Sequence, residues 1–162
     1  MIPFVHLHVH SYYSLLDGQA SISRLVDKAM ADGMRGMALT DHGNMMGIKD
    51  FFNYVSKKKG GAAKDKKAAE AKLAALRDGS YQNAPDEKGV NPDAGKTNEE
   101  LIAVCEKKIE KAQHILDFKP IFGCEMYCAR RTKADKKTKE DRSGWHLVVL
   151  AKNETGYHNL IK

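Results

Sequence analysis

Three histidines, His6, His8 and His10, occupy alternate positions in the stretch HLHVH. Imidazole is the commonest protein ligand for zinc, manganese and iron. The flanking residues, PFVHLHVH, alternate and are rich in apolar and β-branched side chains, which predicts a strand over residues 4–10. Side chains alternate between the faces of a strand, so the three imidazoles are expected on one face and Val5, Leu7 and Val9 on the other, in the core. Two histidines at i and i+2 can then reach a single metal ion.

Other donor-type residues fall at comparable places. Asp17 lies in a loop after the first strand, in LLDG. Asp41 and His42 follow a second apolar run in LTDHG. Glu125 sits in a third, in GCE, and His146 in a fourth, in GWHLVV. Functional groups of parallel α/β folds gather at the carboxyl ends of the strands. By that rule His146 is a misfit, because it comes early in its strand. The set still draws His, Asp and Glu from four strand regions, the pattern of a site with two or three metal ions. One ion lowers the pKa of a bound water and another holds phosphoryl oxygens, chemistry that suits phosphoester hydrolysis. No Ser or Cys nucleophile motif competes with it, and KKKGG lacks the spacing of a phosphate-binding Walker loop.

The elements that must position these residues are legible from their periodicity. Ser21 caps a predicted helix with apolar positions Ile22, Leu25, Val26, Ala29 and Met30, closed by Gly33. RGMALTDHGN predicts a short strand and GIKDFFNYVSKKKG a second helix. From Gly60 to Asp117 the composition shifts to Lys, Ala, Glu and Gly. AAKDKKAAEAKLAALRDG predicts a separate charged helix, and SYQNAPDEKGVNPDAGK an exposed linker. TNEELIAVCEKKIEKAQHIL predicts a further helix, with Thr97 and Glu100 as a capping box and a stripe of Leu101, Ile102, Val104, Cys105, Ile109, Ala112 and Leu116. KPIFGCEMYCA and GWHLVVLA predict two more strands, and NETGYHNLIK a last helix. The alternation implies an α/β fold with a parallel sheet and crossover helices, either open or part of a barrel.

Composition narrows the class. The chain has 162 residues, 42% hydrophobic and 30% charged, which fits one globular domain. No apolar run is long enough to span a membrane and no signal peptide is apparent, so the cytoplasm is the expected location. Cys105, Cys124 and Cys128 are irregularly spaced and read as reduced thiols. The net charge of +6 is unevenly placed: residues 130–142 carry seven basic and three acidic side chains. This segment reads either as a solvated loop or as a phosphate-contacting one, which makes Arg130, Arg131, Lys133, Lys136 and Lys137 candidates for contact with DNA.

Four motifs, FVHLHVHSYYSLLDG, ALTDHGNMMG, KPIFGCEMYCA and HLVVLAKNETGYHNLIK, closely resemble the PHP (polymerase and histidinol phosphatase) domain. YSLLDG and AKNETGYHNL favour the branch carried at the amino terminus of bacterial replicative DNA polymerase III alpha subunits. The resemblance covers residues 4–56 and 118–162. It implies a distorted (β/α)7 barrel, of which residues 1–162 form a truncated part, with residues 60–117 as a helical insertion. It implies two or three divalent ions (zinc, manganese or iron) held by His8, His10, Asp17, His42, Glu125 and His146. Asp41 is expected to hydrogen-bond beside them, and His6 to stand near the reacting groups. The implied activity is metal-dependent phosphodiester hydrolysis of the 3′→5′ exonuclease type within a DNA polymerase. DNA, the remaining polymerase domains and other replisome subunits are the implied partners. The family's late Asp-x-His pair falls beyond Lys162, so self-association of the chain is a further expectation. The competing readings are a metal-stabilised module that binds partners without catalysis, a free-standing small-molecule phosphatase, and an amidohydrolase, from which TDHG and GCE point away.

Overall fold

The computed structural model describes residues 4–83 and 91–162. The chain divides into two compact units, Met1–Ser56 with Phe118–Lys162, and Lys57–Asp117. In the first, residues 4–10 are extended beside strand β1 (Gly36–Leu39) rather than forming the regular strand expected of them. His6 forms a parallel bridge with Met37, and the Ala38 and Thr40 amides donate to the His6 and Val9 carbonyls at 2.8 and 2.9 Å. The ladder breaks because the Val9 amide donates to the Thr40 hydroxyl, at 3.0 Å, instead of a backbone carbonyl. Leu7, at the bend, is 50% exposed and is not a core residue.

Helix α1 (Ile22–Ala31) is capped by Ser21, whose hydroxyl accepts from the Arg24 amide, and it buries Ile22, Val26, Ala29 and Met30. Strand β1 pairs in parallel with the first part of β2 (Lys119–Cys128), Gly36 against Lys119 and Leu39 against Phe122. The second part of β2 pairs antiparallel with β3 (Trp145–Leu150), Gly123 against Leu150 and Cys128 against Trp145. The sheet, ordered β1-β2-β3, is therefore mixed, not parallel. A parallel return requires a crossover, usually a helix. The β2–β3 connection instead holds one 3-10 turn, Lys139–Arg142, and the chain reverses directly. Gly123 permits the close pairing: a Cβ there would lie 2.5 Å from the Val149 carbonyl oxygen. Helix α4 (Glu154–Ile161), capped by Asn153, ends the unit. Val26, Leu39, Phe51, Val55 and Phe118 are fully buried in its core.

Helix α2 (Ile48–Asp78) is one element where the sequence predicts two. It runs through Gly60 and Gly61, each of which costs a helix only about 1 kcal/mol against Ala, and good helix formers flank the pair. Its residues up to Ser56 belong to the first unit. From Lys57 onward it lies antiparallel to α3 (Asn98–Asp117): Lys66 Nζ donates to Gln113 at 2.8 Å and Arg77 to Glu106 at 3.0 Å. The capping box forms, Thr97 N donating to Glu100 Oε2 and Glu100 N to Thr97 Oγ1. Leu76, Leu101 and Cys105 make a small core with Leu73, Tyr81 and Ile102, whereas Val104 of the predicted stripe is exposed. The middle of the predicted linker, residues 84–90, lies outside the described residues. Its flanks are not a free tether: Lys72 and Tyr81 both donate to buried Asp93. The three cysteines are free, Cys105 and Cys124 buried and Cys128 exposed.

Candidate metal centre

Glu125 is the hub of the site. It is 5% exposed, and its backbone is held on both sides: its amide donates to the Asp41 carbonyl at 3.1 Å, and its carbonyl accepts from the Gly43 amide at 2.7 Å. His8 Nε2 and His10 Nε2 stand 2.8 and 2.6 Å from Glu125 Oε2. His146 Nε2 stands 3.0 Å and His42 Nδ1 3.7 Å from Oε1. His42 Nδ1 also lies 2.6 Å from Asp17 Oδ2. The six expected ligand residues thus form one connected cluster. Within it, His8, Glu125 and His146 offer donor atoms all within 4.8 Å of one another.

Burial alone raises the Glu125 pKa. Hydrogen bonds from His8 and His146 and the charges of His10 and His146 outweigh that effect and hold it below the usual carboxylate range. The donor set fits a divalent cation. His8 Nε2 and His10 Nε2 lie 2.9 Å apart and both aim at the same carboxylate oxygen. Two imidazolium rings so placed repel, and two neutral rings direct lone pairs at each other unless a proton or a cation lies between them. A shared cation satisfies all of these atoms at once.

His146 owes its place to the direction of β3. That strand runs opposite to β2, so its beginning lies beside the end of β2, with His146 paired to Tyr127, two residues past Glu125. The same residue in a parallel strand would sit at the far end of the sheet.

Asp41 faces serines rather than imidazoles. Its Oδ1 accepts from the Ser11 amide at 2.7 Å and the Ser14 hydroxyl at 2.7 Å, and the Ser11 hydroxyl donates to both oxygens. Ser14 Oγ in turn accepts from the His42 amide at 3.0 Å. Asp41 therefore ties the loop carrying His10 and Asp17 to the loop carrying His42. Packing tightens the knot: a Cβ at Gly18 would lie 2.2 Å from the Ser11 carbonyl oxygen. Leu16, beside Asp17, has a φ of 73°, an uncommon conformation for a branched residue. Sequence reasoning missed Ser11 and Ser14. Their signal is a serine directly after each of HVH and YY, meaningful only once Asp41 is known to lie opposite.

His6 shares a shallow groove with His8 and His10, but its ring contact is with Phe4, edge-on at 4.7 Å, and not with Glu125. In the basic loop, Arg130 Nε donates to the Ser143 carbonyl and its guanidinium stacks over Trp145 at 4.6 Å. Arg131 is bidentate on Asp141, Nε donating to Oδ1 at 3.0 Å and Nη2 to Oδ2 at 2.7 Å, and Asp141 also accepts from the Lys137 and Thr138 amides. The Arg131 guanidinium is thus engaged within the loop, while Lys133, Lys136 and Lys137 are exposed.

A family model described as PHP domain matches residues 6–162. Among curated proteins, the chain is 35% identical over 159 residues to DNA polymerase III subunit alpha of Treponema pallidum (strain Nichols), covering 98% of this chain and 9% of that protein. It is 34% identical over 160 residues to the protein of that name from Borreliella burgdorferi, with 98% and 9% covered. With that of Chlamydia pneumoniae it shares 30% identity over 158 residues, with 97% and 8% covered. The chain spans less than a tenth of the length of these relatives.

Proposed function

Because the chain belongs to the PHP domain family, we propose that it is the PHP portion of a DNA polymerase III alpha subunit and that its histidine cluster holds two or three zinc, manganese or iron ions for hydrolysis of phosphodiesters at DNA 3′ ends. The observation that carries this reading is the convergence of His8, His10, His42 and His146 on Glu125. Such ions supply Lewis acidity, acidifying water and neutralising phosphoryl charge. The protein's part is to hold the donors. Glu125 and Asp17 would ligate the ions together with His8, His10, His42 and His146, and Asp41 holds the two loops in register. His6, which lines the same groove as His8 and His10, is read as standing near the reacting groups. Lys133, Lys136 and Lys137 are available to phosphates, with Arg130 and Arg131 shaping the loop that displays them.

The mixed sheet and its helices are read as part of a distorted (β/α)7 barrel, and residues 60–117 as an insertion into it, a reading supported by the separate apolar cluster of that segment. The partners that follow are DNA, the rest of the polymerase and other replisome subunits, in the cytoplasm. Among the described residues no helix is long and apolar enough to cross a membrane.

The test is elemental analysis of the purified chain followed by a nuclease assay. Two or more equivalents of zinc, manganese or iron are expected, lost in His8→Ala/His10→Ala. Shortening of a 5′-labelled oligonucleotide by the loaded protein, abolished by a chelator, is expected next. A folded chain that takes up no metal even on reconstitution overturns the metal centre. Full metal without hydrolysis supports the metal-stabilised partner-binding module instead.

A further inference from the structure

We propose that Tyr127 is the surface on which the terminal base of single-stranded DNA stacks, so that the base positions its phosphodiester over the histidine cluster. The inference rests on the function proposed above and adds to it the recognition of a base-bearing substrate. Alternation along β2 places Glu125 and Tyr127 on one face. The antiparallel register sets Tyr127 directly opposite His146, and residues directly opposite share a face. The tyrosine ring accordingly contacts two site histidines, its centroid 5.5 Å from His42 and 5.9 Å from His146. It nonetheless remains 53% exposed. One side of the ring is thus fixed against the site and the rest is open to a ligand.

Position separates Tyr127 from the other exposed aromatic of the β2–β3 hairpin. Trp145 is 60% exposed, but it pairs with Cys128 and so lies on the opposite face of the hairpin, where Arg130 already stacks over its ring. Charge identifies the ligand class. The basic loop, net +4 over residues 130–142, begins three residues after Tyr127. Its exposed Lys133, Lys136 and Lys137 supply cations for a phosphate backbone. An aromatic face beside such a loop is the combination by which proteins hold single strands without regard to sequence, since every base offers a π-face. A small phosphate ester without a base gains nothing from the ring.

The test uses an oligothymidylate carrying 2-aminopurine at its 3′ end, whose fluorescence is quenched on stacking, with the metal-loaded chain. The wild-type protein is expected to quench it. Tyr127→Ala should abolish the quench, weaken binding about tenfold and, because the phosphodiester is no longer held over the cluster, lower kcat as well as raise KM for cleavage. Tyr127→Phe and Tyr127→Trp should behave as wild type, because the ring and not the hydroxyl acts. An oligonucleotide with an abasic 3′ end should bind wild type and Tyr127→Ala equally. Absence of quenching by wild type, or a Tyr127→Ala protein that quenches normally, overturns the proposal. So does a Tyr127→Phe protein as impaired as Tyr127→Ala, since the hydroxyl would then be the acting group. Quenching is read on an oligonucleotide whose 3′-terminal linkage resists hydrolysis, so that turnover does not release the probe. A chain that quenches through Tyr127 but never cleaves supports the stacking surface while refuting the nuclease reading, and cleavage indifferent to Tyr127 does the reverse.

Discussion

Asp41 is buried, and its carboxylate satisfies a backbone amide and two hydroxyls contributed by the loop that follows the first histidines. Serine hydroxyls can rotate to other acceptors, but the Ser11 N–H cannot. Asp41→Ala therefore leaves a buried donor unsatisfied and opens the link to the His42 amide through Ser14. The expected loss is about 2–4 kcal/mol of stability, read as a lower urea midpoint at unchanged slope, with weaker metal retention. Asp41→Asn keeps one acceptor oxygen and should lose less; equal stability of Asp41→Ala and wild type would refute the role. The ligand-type residues were legible in the sequence because rare residue types recur beside apolar runs. The serines were not, because their meaning depends on a partner about 30 positions away. Tyr127 was passed over for a related reason: exposure and ring contacts are properties of the folded chain, and an ordinary tyrosine in a strand carries neither in its spacing.

Helices and strands were legible from local signals, such as the Ser21 cap, the Thr97–Glu100 box and the apolar run of 119–128. Strand direction is not local. The loop between β2 and β3 was read as a charged segment awaiting phosphate, and its internal order was invisible. Arg131 hydrogen-bonded to Asp141, joined by the Thr138 amide, holds the Asp141 carboxyl down at about 2. A carboxyl whose pKa is depressed on folding contributes its stabilisation fully above its unfolded value, near 3.9, and loses it as the pH falls toward about 2. The loop should therefore loosen only in that window. Trp145, the single tryptophan, reports it through the Arg130 guanidinium stacked on its ring. Its fluorescence is expected to change between about pH 4 and 2. With Arg131→Met the midpoint should move up toward ordinary carboxylate values; an unmoved midpoint would show that the pair does not order the loop.

At the scale of the whole molecule, the composition changes after Gly60, whereas the helix crossing that point is continuous and the second compact unit begins at Lys57. Composition reports which residues can form a helix, not where one core stops drawing on the next. The fully buried residues of the first unit, among them Val26, Leu39, Phe51 and Phe118, lie outside 57–117. The second unit has its own cluster around Leu76, Leu101 and Cys105. Because α2 and α3 run antiparallel there, residues 57 and 117 emerge at the same end of the pair. Replacing 57–117 with a short Gly/Ser linker closes a small loop, and loop-closure entropy grows only slowly with length. If the segment is an insertion, the shortened chain should stay soluble, fold cooperatively and bind as much metal as the parent, with its circular dichroism reduced by the helix removed. Should it instead aggregate or emerge metal-free while the parent binds metal, residues 57–117 are part of what folds the histidine cluster. The boundary near Gly60 would then mark only a change in surface chemistry along one cooperative unit.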